Sequence, residues 1–542
     1  MATMAPGPAP SARKGEAPTG SPRLASLPKG GWPSLLRARR TVQAVALALF
    51  LYLSVSTRLP MNSTLPVDLF LRLDPLVQLS ASLSARQMVP HLLWAIPLIA
   101  ATLLMGRFFC GWLCPLGTTL DLVRLRGKAG APYRQEKAFR TQKYLVLALV
   151  LTSAAAGSLF FLPLDPITLA LRSFALFLYP ALNAMVTGGL FAGYEHGILP
   201  DLMVWADTEL RGNLLPLEQP YARLSWLFFG LFGVVVGLNA LRPRFWCRYL
   251  CPLGALLGLV GRWQIAGRRL EPGCVGCGSC AAICRMGAIR SSDFSTSAGE
   301  CALCGECATV CPNSSISYGP QPNRSTGYDP SRRGFLAAGA LGALAVASFR
   351  ADTPTREVDE FLVRPPGADP ARILDRCVRC GQCMKGCPSS GLQPSLFQAG
   401  LEGLWSPVLV SRVGPCQFDC NLCGQLCPTG AISPLELKAK QATIIGTAYI
   451  DQKRCIPWVD GRSCIVCEEL CPVSPKAVVL ETAEVTSRSG DKLEVKRPRI
   501  VRELCIGCGI CEHKCPLPGE AAIRVHVTNA LLSESSDVAP NS

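Results

Sequence analysis

Four apolar runs punctuate the first half of the chain, and basic residues gather beside one end of each run. The runs lie at about 42–56, 91–105, 144–161 and 224–240. With their flanks they approach the length of about 20 residues that a helix needs to cross a hydrocarbon core. Arg37, Arg39 and Arg40 precede the first run, and such residues accumulate on the cytoplasmic side. The pattern therefore predicts about four membrane spans with a cytoplasmic N-terminus.

The segments on either side of the third run carry opposite charge. Residues 124–143 hold seven basic residues and one acidic residue, whereas 164–223 hold six acidic residues and three arginines. This asymmetry predicts that the first segment is cytoplasmic and that the second lies across the membrane. Within the second, 167–185 is apolar but contains Arg172 and Pro180. It is either a re-entrant or interfacial helix, or one of two further spans.

A weakly apolar helix is predicted at 331–350, after a linker rich in Pro, Gly and Ser. Its start, Arg332-Arg333-Gly-Phe335-Leu, resembles a twin-arginine export signal placed inside the chain. The alternative is a signal-anchor span inserted by the ordinary route, and both would leave the rest of the chain outside the cytoplasm. A third interpretation is a buried helix in a wholly cytoplasmic protein. Ala345-Val-Ala347 would suit signal peptidase, so cleavage near residue 347 stays open.

These patterns, together with six ferredoxin-type cysteine runs between residues 274 and 515, predict a fold class and a division into domains. We expect an α-helical membrane domain joined to α+β polyferredoxin domains of the bacterial type. The expected division is a disordered basic tail at 1–36, the membrane domain at 37–265, a two-cluster ferredoxin at 271–318, a linker at 319–330, the signal or anchor helix at 331–350, a linker at 351–372, a four-cluster ferredoxin at 373–529 and a tail at 530–542.

Composition further narrows the class of protein that the chain can be. Only 17% of the 542 residues are charged, against about a quarter in soluble proteins, which agrees with membrane spans. The net charge of +16 comes from basic flanks of apolar runs, and no basic patch is interleaved with aromatic residues, so nucleic-acid binding is not expected. The four histidines and the absence of C-x2-C-H argue against haem.

The cysteines carry the chemistry. Residues 274–284 and 301–311 each form a C-x2-C-x2-C-x3-C run of the bacterial ferredoxin type, in which the fourth cysteine ligates the neighbouring cluster. Zinc knuckles pair C-x2-C elements and do not use a regular third cysteine. The spacing predicts one 4Fe-4S cluster on Cys274, Cys277, Cys280 and Cys311, and a second on Cys301, Cys304, Cys307 and Cys284.

Four further runs follow in the C-terminal part, so six complete runs account for 24 of the 28 cysteines. The second of these four has one extra residue in its first gap, and the third has an insertion at 456–463. The spacing does not show whether neighbouring runs share clusters, or the second shares with the third and the first with the fourth. The runs are Cys377, Cys380, Cys383, Cys387; Cys416, Cys420, Cys423, Cys427; Cys455, Cys464, Cys467, Cys471; and Cys505, Cys508, Cys511, Cys515.

The remaining four cysteines form two C-x3-C-P-L-G elements, Cys110 with Cys114 and Cys247 with Cys251. Each element follows an apolar run at its predicted cytoplasmic end. One interpretation is reduced thiols at tight turns, since the cytoplasm disfavours disulfides. The other is that four thiolates gathered at one membrane face bind a further metal or act in a redox relay.

The sequence resembles two known ferredoxin-type proteins in tandem. Through its two C-x3-C-P-L-G elements and the ferredoxin pair after them, 37–318 resembles NapH, the membrane quinol dehydrogenase component of periplasmic nitrate reductase systems. Through the twin-arginine start and the insertion that contains Trp458, 331–529 resembles NapG, an exported four-cluster ferredoxin. One departure is Arg285, which follows Cys284 where that family usually has Pro. Relatives with a flavin domain or an immunoglobulin-like tail do not fit this chain.

The resemblance implies a membrane protein that takes electrons from the quinone pool and passes them to a periplasmic reductase or cytochrome in anaerobic respiration. It would lie in the bacterial inner membrane, with the first ferredoxin cytoplasmic and the second exported by the twin-arginine machinery. His91 and Trp226 are candidate quinol contacts, or ordinary interfacial anchors. The alternatives are an assembly, maturation or regulatory redox factor for a respiratory metalloenzyme, and a path driven by a cytoplasmic reductant. No residue identifies the terminal acceptor or a catalytic group.

Overall fold

The computed structural model describes residues 32–57, 65–89, 91–123, 137–197, 200–213, 215–216, 218–320, 332–351, 360–486 and 492–527. Residues 124–136 of the predicted basic loop at 124–143, most of the linker at 319–330 and the tail at 530–542 lie outside these ranges. So does the N-terminal tail up to residue 31. The first helix begins at Trp32, inside the segment that was predicted as disordered up to residue 36.

The described residues between 32 and 265 build a helical domain around a large apolar core. Proline stands in the first turn of several of its helices, where the missing N–H costs nothing. The helices are α1 (Trp32–Val55), α2 (Leu69–Arg72), α3 (Pro75–Ala85), α4 (Ile96–Met105), α5 (Phe108–Trp112), α6 (Pro115–Leu122), α7 (Lys137–Ala155), α8 (Pro166–Ser173), α9 (Tyr179–Glu195), α10 (Pro200–Asn213), α11 (Ser225–Gly237), α12 (Phe245–Tyr249) and α13 (Pro252–Val260).

Helices lie at each predicted apolar run, but few have the length of a full span. In the described part of the chain, two helices are long and apolar enough to cross a membrane, Ser34–Val55 and Pro166–Glu195. The second joins α8 and α9 through a π-helical turn at Phe174–Leu178, so the interrupted segment at 167–185 is one continuous helix. Shorter apolar helices occupy Leu92–Met105, Ser225–Ala240 and Arg333–Ser348.

The helical domain contains an internal repeat. Leu73-Asp74-Pro75 opens α3 and Leu164-Asp165-Pro166 opens α8, and each aspartate accepts hydrogen bonds from the two backbone amides that follow the proline. Further along, Arg107-Phe-Phe-Cys110 leads through α5 to α6, and Arg244-Phe-Trp-Cys247 leads through α12 to α13. The second copy differs mainly by the inserted α9 and α10.

Two ferredoxin modules follow. The first module, residues 266–320, is closed by the antiparallel pair β1 (Ala266–Leu270) and β2 (Ile316–Pro320), with α14 (Ser279–Ile283) and α15 (Glu306–Thr309) between them. It therefore begins five residues before the predicted 271, because β1 supplies the partner strand for β2. Then α16 (Arg332–Ala351) packs along α7 through glycines. A Cβ on Gly342 would lie 2.2 Å from the Thr152 hydroxyl.

The second module comprises residues 360–527 and therefore begins before the predicted residue 373. The Glu360 carbonyl accepts a hydrogen bond from the Val527 amide, and the Val363 carbonyl accepts one from the Leu409 amide, so this segment is part of the module. The elements are α17 (Ile373–Arg376), α18 (Gln382–Lys385), β3 (Leu392–Pro394), β4 (Pro407–Leu409), α19 (Leu422–Gln425), α20 (Leu437–Ala442), β5 (Thr447–Ile450), α21 (Ile456–Val459), α22 (Val466–Glu469), β6 (Val478–Thr486), β7 (Lys492–Ile500), α23 (Ile510–Lys514) and β8 (Ile523–His526). β3 pairs with β4, β5 with β8 and β6 with β7, all antiparallel.

The two modules contact opposite ends of the same helices. At the start of α1, Arg39 forms an ion pair of 3.0 Å with Glu306 of the first module. Just after the end of α1, Thr57 accepts a hydrogen bond from Lys385 of the second module. Eighteen residues separate these contacts, which at 1.5 Å per residue is about 27 Å.

α7 repeats this arrangement. Lys143 near its start binds Glu300 of the first module at 2.5 Å, and the Leu159 carbonyl beyond its end accepts a 2.7 Å hydrogen bond from Arg379 of the second. The amide of Arg223, before α11, donates to Gln393 of the second module at 2.7 Å. The helices therefore lie between the two modules, which contact them near opposite ends.

Candidate iron-sulfur centres

A left-handed glycine shapes four of the six cysteine runs. In each of these runs the residue after the second cysteine is a glycine with φ between 75° and 80°, a conformation that disfavours a side chain. It turns the chain into a short helix that carries the third cysteine. The two runs with longer gaps have Asn421 and Ile465 at this position, with negative φ. The glycines are Gly278, Gly305, Gly381 and Gly509.

In the first module, the structure brings together both predicted sets of cysteines. Cys274, Cys277, Cys280 and Cys311 line one pocket. In the other set, burial raises the pKa of Cys301 well above its usual range, and the neighbouring thiols of Cys307, Cys304 and Cys284 add to the shift. The fourth cysteine of each run thus joins the other run, as the spacing predicts.

In the second module, neighbouring runs exchange their fourth cysteines, which the spacing left open. Four pockets are each lined by four cysteines. The sets are Cys377, Cys380, Cys383 and Cys427; Cys387, Cys416, Cys420 and Cys423; Cys455, Cys464, Cys467 and Cys515; and Cys471, Cys505, Cys508 and Cys511.

The surroundings of these thiols fit iron-sulfur clusters. The cavity walls are otherwise mostly apolar, glycine or proline. Backbone amides donate to cysteine sulfurs, as Ala288 does to Cys284 and Ser315 to Cys311, both at 3.3 Å. The Tyr318 hydroxyl lies 3.3 Å from the sulfur of Cys307. Four thiols with such hydrogen bonds in an apolar wall are the setting that clusters require.

The two C-x3-C-P elements also converge. Cys110, Cys114, Cys247 and Cys251 are all buried in the same core. Burial raises the pKa of Cys114 well above its usual range, and the neighbouring thiols of Cys247 and Cys110 raise it further. The same two thiols act on Cys251. Two cysteines from each copy of the repeat therefore form one group of four, which we call the tetrathiol group.

Two arginines cross between the copies at this group. Arg107 of the first copy donates to the carbonyl of Cys247 in the second at 3.2 Å. Arg244 of the second copy donates to the carbonyl of Cys110 in the first at 2.9 Å. Their exposures are 0% and 2%. In the sequence, these arginines are visible only as basic residues beside apolar runs. The recurrence of Arg three residues before each C-x3-C-P is the signal that could have singled them out.

An ionic network joins the tetrathiol group to the first module. Glu300 binds Arg107 at 2.8 Å and Lys143 at 2.5 Å, with the three side chains at most 4% exposed. Asp121 of α6 binds Arg244 at 2.7 Å and Arg39 at 2.6 Å. Burial would raise the pKa of Asp121, but its arginine partners hold it well below the usual range.

Arg285, which stands where the resembled family has proline, belongs to this network. It binds Glu306 at 2.9 Å and Asp121 at 3.1 Å. The departure therefore ties the loop after Cys284 to α6. Five cations in total, Arg39, Arg107, Lys143, Arg244 and Arg285, meet three carboxylates.

Asp74 and Asp165, which cap α3 and α8, face each other in the core with no exposed surface. One oxygen of each carboxyl accepts the capping bonds, and the two carboxyl groups interact with each other. The sequence analysis counted Asp165 only as loop charge. The repeated Leu-Asp-Pro was the available signal.

The candidate quinol contacts lie at helix starts. His91 directly precedes the first turn of the helix at Leu92–Met105, and Trp226 is 79% exposed beside Phe229 on α11. Among the residues that the structure describes, no three His, Cys, Asp or Glu side chains converge closely enough to hold a single metal ion.

Comparison with known proteins gives matches of two kinds, to a family model and to individual proteins. A family model described as a 4Fe-4S binding domain matches residues 88–132 and 223–270, one match for each C-x3-C-P element. Methylamine utilization ferredoxin-type protein MauM of Methylorubrum extorquens is 34% identical over 207 residues, which cover 36% of this chain and 89% of that protein. Ferredoxin-type protein NapG of Escherichia coli is 33% identical over 211 residues, 38% of this chain and 88% of that protein. No solved structure matches.

Proposed function

The chain belongs to the family of ferredoxin-type proteins MauM and NapG, and from this membership we propose that it is a membrane-bound electron-transfer protein. It would take electrons from quinol and pass them through six 4Fe-4S clusters to a periplasmic reductase or cytochrome. When bound, such clusters supply one-electron transfer at potentials set by charge, hydrogen bonds and exposure. The six cysteine sets described above would hold them.

The observation that carries the proposal is the position of the two modules. They contact α1 at points about 27 Å apart, which approaches the hydrocarbon thickness of about 30 Å. α7 and the segment from Arg223 to Arg244 connect the same two ends. A soluble protein has no reason to separate two redox modules by apolar helices, whereas a protein that moves electrons across a bilayer must do so.

Charge supports the orientation. Arg39, Arg107, Lys143 and Arg244 all lie at the end that contacts the first module. Basic residues concentrate on the cytoplasmic side, so the first module would be cytoplasmic and the second periplasmic in a bacterial inner membrane.

α16 would then cross back to the outside, with the twin-arginine machinery as its export partner. Its packing on α7 supports retention as an anchor rather than removal. Ala338 and Val346 are buried, Gly342 contacts Leu149 and Thr152, and Val346 lies within the short segment that would suit signal peptidase. Cleavage there would remove a packed helix from the core.

The proposal that quinol is the electron donor is supported by the membrane setting and by the resemblance to NapH. The second module, which we take to be the part related to MauM and NapG, would face a periplasmic acceptor. Nitrate reductase remains the acceptor that the resemblance favours, and another reductase or a cytochrome would use the same second module.

The first test determines on which side of the membrane each module lies. Alkaline phosphatase and fluorescent-protein reporters would be fused after Pro320, after residue 352 and at residue 542. We expect fluorescence only at the first position and phosphatase activity at the other two. Fluorescence at all three would refute the transmembrane arrangement.

Quinol reduction is the second test. Purified full-length protein would be mixed anaerobically with a reduced quinol analogue, and bleaching of the visible cluster absorbance would be followed. We expect reduction of the clusters. Correct sidedness without quinol-dependent bleaching would instead favour the assembly or maturation role.

A further inference from the structure

Three buried arginines surround one cysteine set of the second module. We call it the Cys377 set, and its members are Cys377, Cys380, Cys383 and Cys427. The arginines are Arg172 of α8, Arg364 and Arg379, with exposures of 4, 6 and 2%. Charge interactions link Arg364 and Arg379 to the Cys377 thiol, and Arg172 to the Cys380 thiol. The three cations therefore lie beside sulfurs that would hold a cluster.

None of these arginines forms an ion pair within the described part of the chain. Arg364 donates to the Ser406 hydroxyl at 2.9 Å, and Arg379 donates to the Leu159 carbonyl at 2.7 Å. The charge of Glu402 acts on Arg379, but Glu402 accepts the hydrogen bond through its main-chain carbonyl. The partners are thus neutral groups, whereas carboxylates bind the buried arginines at the other end of the helices.

Arg172 has the fewest hydrogen bonds of the three. Its Nε and Nη1 atoms have no partner among the described residues, and Nη2 reaches the Pro163 carbonyl only at 3.4 Å. The guanidinium lies 4.5 Å from the ring centre of Trp405 and 5.5 Å from that of Phe228. Aromatic rings attract a cation weakly compared with the cost of burying an unpaired charge, so a stronger counter-charge is required nearby.

A cluster in the Cys377 set would supply that counter-charge. Four thiolates bring negative charge to an iron-sulfur cluster, and reduction adds more. Positive groups held close by in an apolar setting favour the reduced form, which raises the reduction potential. The other buried basic side chain in the described part of the second module is Lys440, which lies beside Cys416 of the neighbouring set.

The run that begins at Cys377 is embedded in the helical domain. Val378 and Cys380 belong to the same apolar core as the membrane helices. A Cβ on Gly381 would lie 3.5 Å from the side chains of Ala175 and Leu176 in the long helix Pro166–Glu195. The Cys377 set therefore borders the membrane domain directly.

Contacts between the sets arrange the second module as a row. The first two runs exchange Cys387 and Cys427, which joins the Cys377 set to the second set. The Cys416 amide of the second set donates to the Cys508 carbonyl of the third at 2.8 Å. The last two runs exchange their fourth cysteines in the same way. The row thus begins at the membrane domain with the Cys377 set.

We propose that electrons leave the membrane domain and enter the second module at the Cys377 set, and that Arg172, Arg364 and Arg379 give its cluster the highest reduction potential of that module. This inference rests on the electron-transfer function proposed above. Oxidation of quinol to quinone releases a pair of electrons and a pair of protons. Each electron would reduce this cluster in turn and pass along the row to the acceptor, and the protons would go to solvent.

The first test is a redox titration of the full-length protein, purified without oxygen and followed by EPR spectroscopy. The component that disappears in Cys380→Ala should have a higher potential than the components of the other three sets, identified in the same way with Cys420→Ala, Cys508→Ala and Cys464→Ala. A lower potential than any of these would overturn the proposal.

The role of the arginines is tested by changing their charge. Arg172→Met should keep the iron and lower the ratio of reduced to oxidised cluster in the Cys377 set about tenfold at a fixed potential, a shift of about 59 mV for one electron. Arg172→Lys should restore the ratio. If Arg172→Met loses iron, Arg364→Met carries the same expectation. An unchanged potential would refute the role of the buried charge.

Arg412→Met is the matched control. Arg412 is partly buried and also donates to backbone carbonyls, but it does so beside the fourth set, at 3.0 Å from the carbonyl of Cys515. Its loss should leave the potential of the Cys377 set unchanged. A shift as large as that of Arg172→Met would show that the effect is not specific to this set and would overturn the proposal.

The entry role is tested by the rate of reduction. Duroquinol mixed anaerobically with Cys380→Ala should reduce the remaining clusters of the second module at least tenfold more slowly than in the wild type, while dithionite still reduces them. A wild-type rate would overturn the entry role. If dithionite shows that these clusters are lost, Arg172→Met replaces this variant and should be reduced more slowly than Arg412→Met.

Failure of the proposed donor gives a different pattern. If duroquinol reduces no cluster of the wild type, the quinol route is wrong, whereas the order of potentials and the shift in Arg172→Met still test the charge effect. If duroquinol reduces the clusters but the Cys377 set does not have the highest potential, the route stands and the present inference is refuted.

Discussion

Glu300 is the residue whose loss should damage the attachment of the first module most. Its carboxylate binds Arg107 at 2.8 Å and Lys143 at 2.5 and 2.6 Å, and the three side chains are 4, 0 and 0% exposed. Glu300→Gln keeps the size and one acceptor oxygen but removes the charge. Two buried cations then lose their counterion.

Breaking a buried ion pair in this way costs about 3 to 5 kcal/mol. Because about 1.4 kcal/mol corresponds to a factor of ten, local opening of the module should become roughly 150 to 5,000 times more frequent. Hydrogen exchange of the backbone amides at 298–303 and at the start of α7 measures this opening directly. Lys143→Met combined with Glu300→Gln should recover part of the loss, since one unpaired cation is removed with it.

Glu481→Gln is the matched control. Glu481 binds Arg499 at 2.5 Å, but both side chains are 58% exposed, so solvent already screens the pair and the cost should stay below about 1 kcal/mol. If Glu300→Gln changes exchange no more than Glu481→Gln does, Glu300 does not compensate buried charge and the network has been misinterpreted.

Three further substitutions test other parts of the structure. Gly342→Leu should separate α16 from α7, because even a Cβ at this position would lie 2.2 Å from the Thr152 hydroxyl. Cysteines introduced on the two helices should then no longer form a disulfide. A disulfide that still forms would contradict the close packing of the helices. Tyr318→Phe removes the 3.3 Å contact with the Cys307 sulfur and should lower the reduction potential of the second cluster without loss of iron, as measured by EPR redox titration. Asp74→Ala should lower the thermal midpoint more than Asp74→Asn, since asparagine keeps the helix cap, which contributes about 1 kcal/mol; equal shifts would refute the capping role.

The cysteine sets show where prediction from spacing succeeds and where it stops. In the first module two runs stand alone, so the only partner for Cys284 is the other run, and the structure agrees with this pairing. In the second module four runs compete. The choice depends on which runs pack together, and contacts such as the 2.6 Å hydrogen bond from the Thr429 hydroxyl to the Arg376 carbonyl hold the first two runs against each other.

Charged residues show a different limit of prediction from sequence. Read along the chain, Arg107, Arg244 and Lys143 are positive residues beside apolar runs, and they served only to predict orientation. In the folded protein they are buried and bind Glu300 and Asp121, which lie up to 193 residues away. Nothing in local composition distinguishes a solvated arginine from a buried one whose partner comes from another domain.

The amino-acid sequence by itself determined the chemistry of this protein. Three closely spaced cysteines with a left-handed glycine between them form one corner of a cluster site through local backbone geometry, and apolar runs with basic flanks favour helices in a membrane. Only the tertiary structure decided which distant cysteines complete each set, that the two C-x3-C-P elements meet across an internal repeat, and that buried arginines surround them. Burial and charge compensation arise between segments that are adjacent in space and remote in sequence, so no local pattern can specify them.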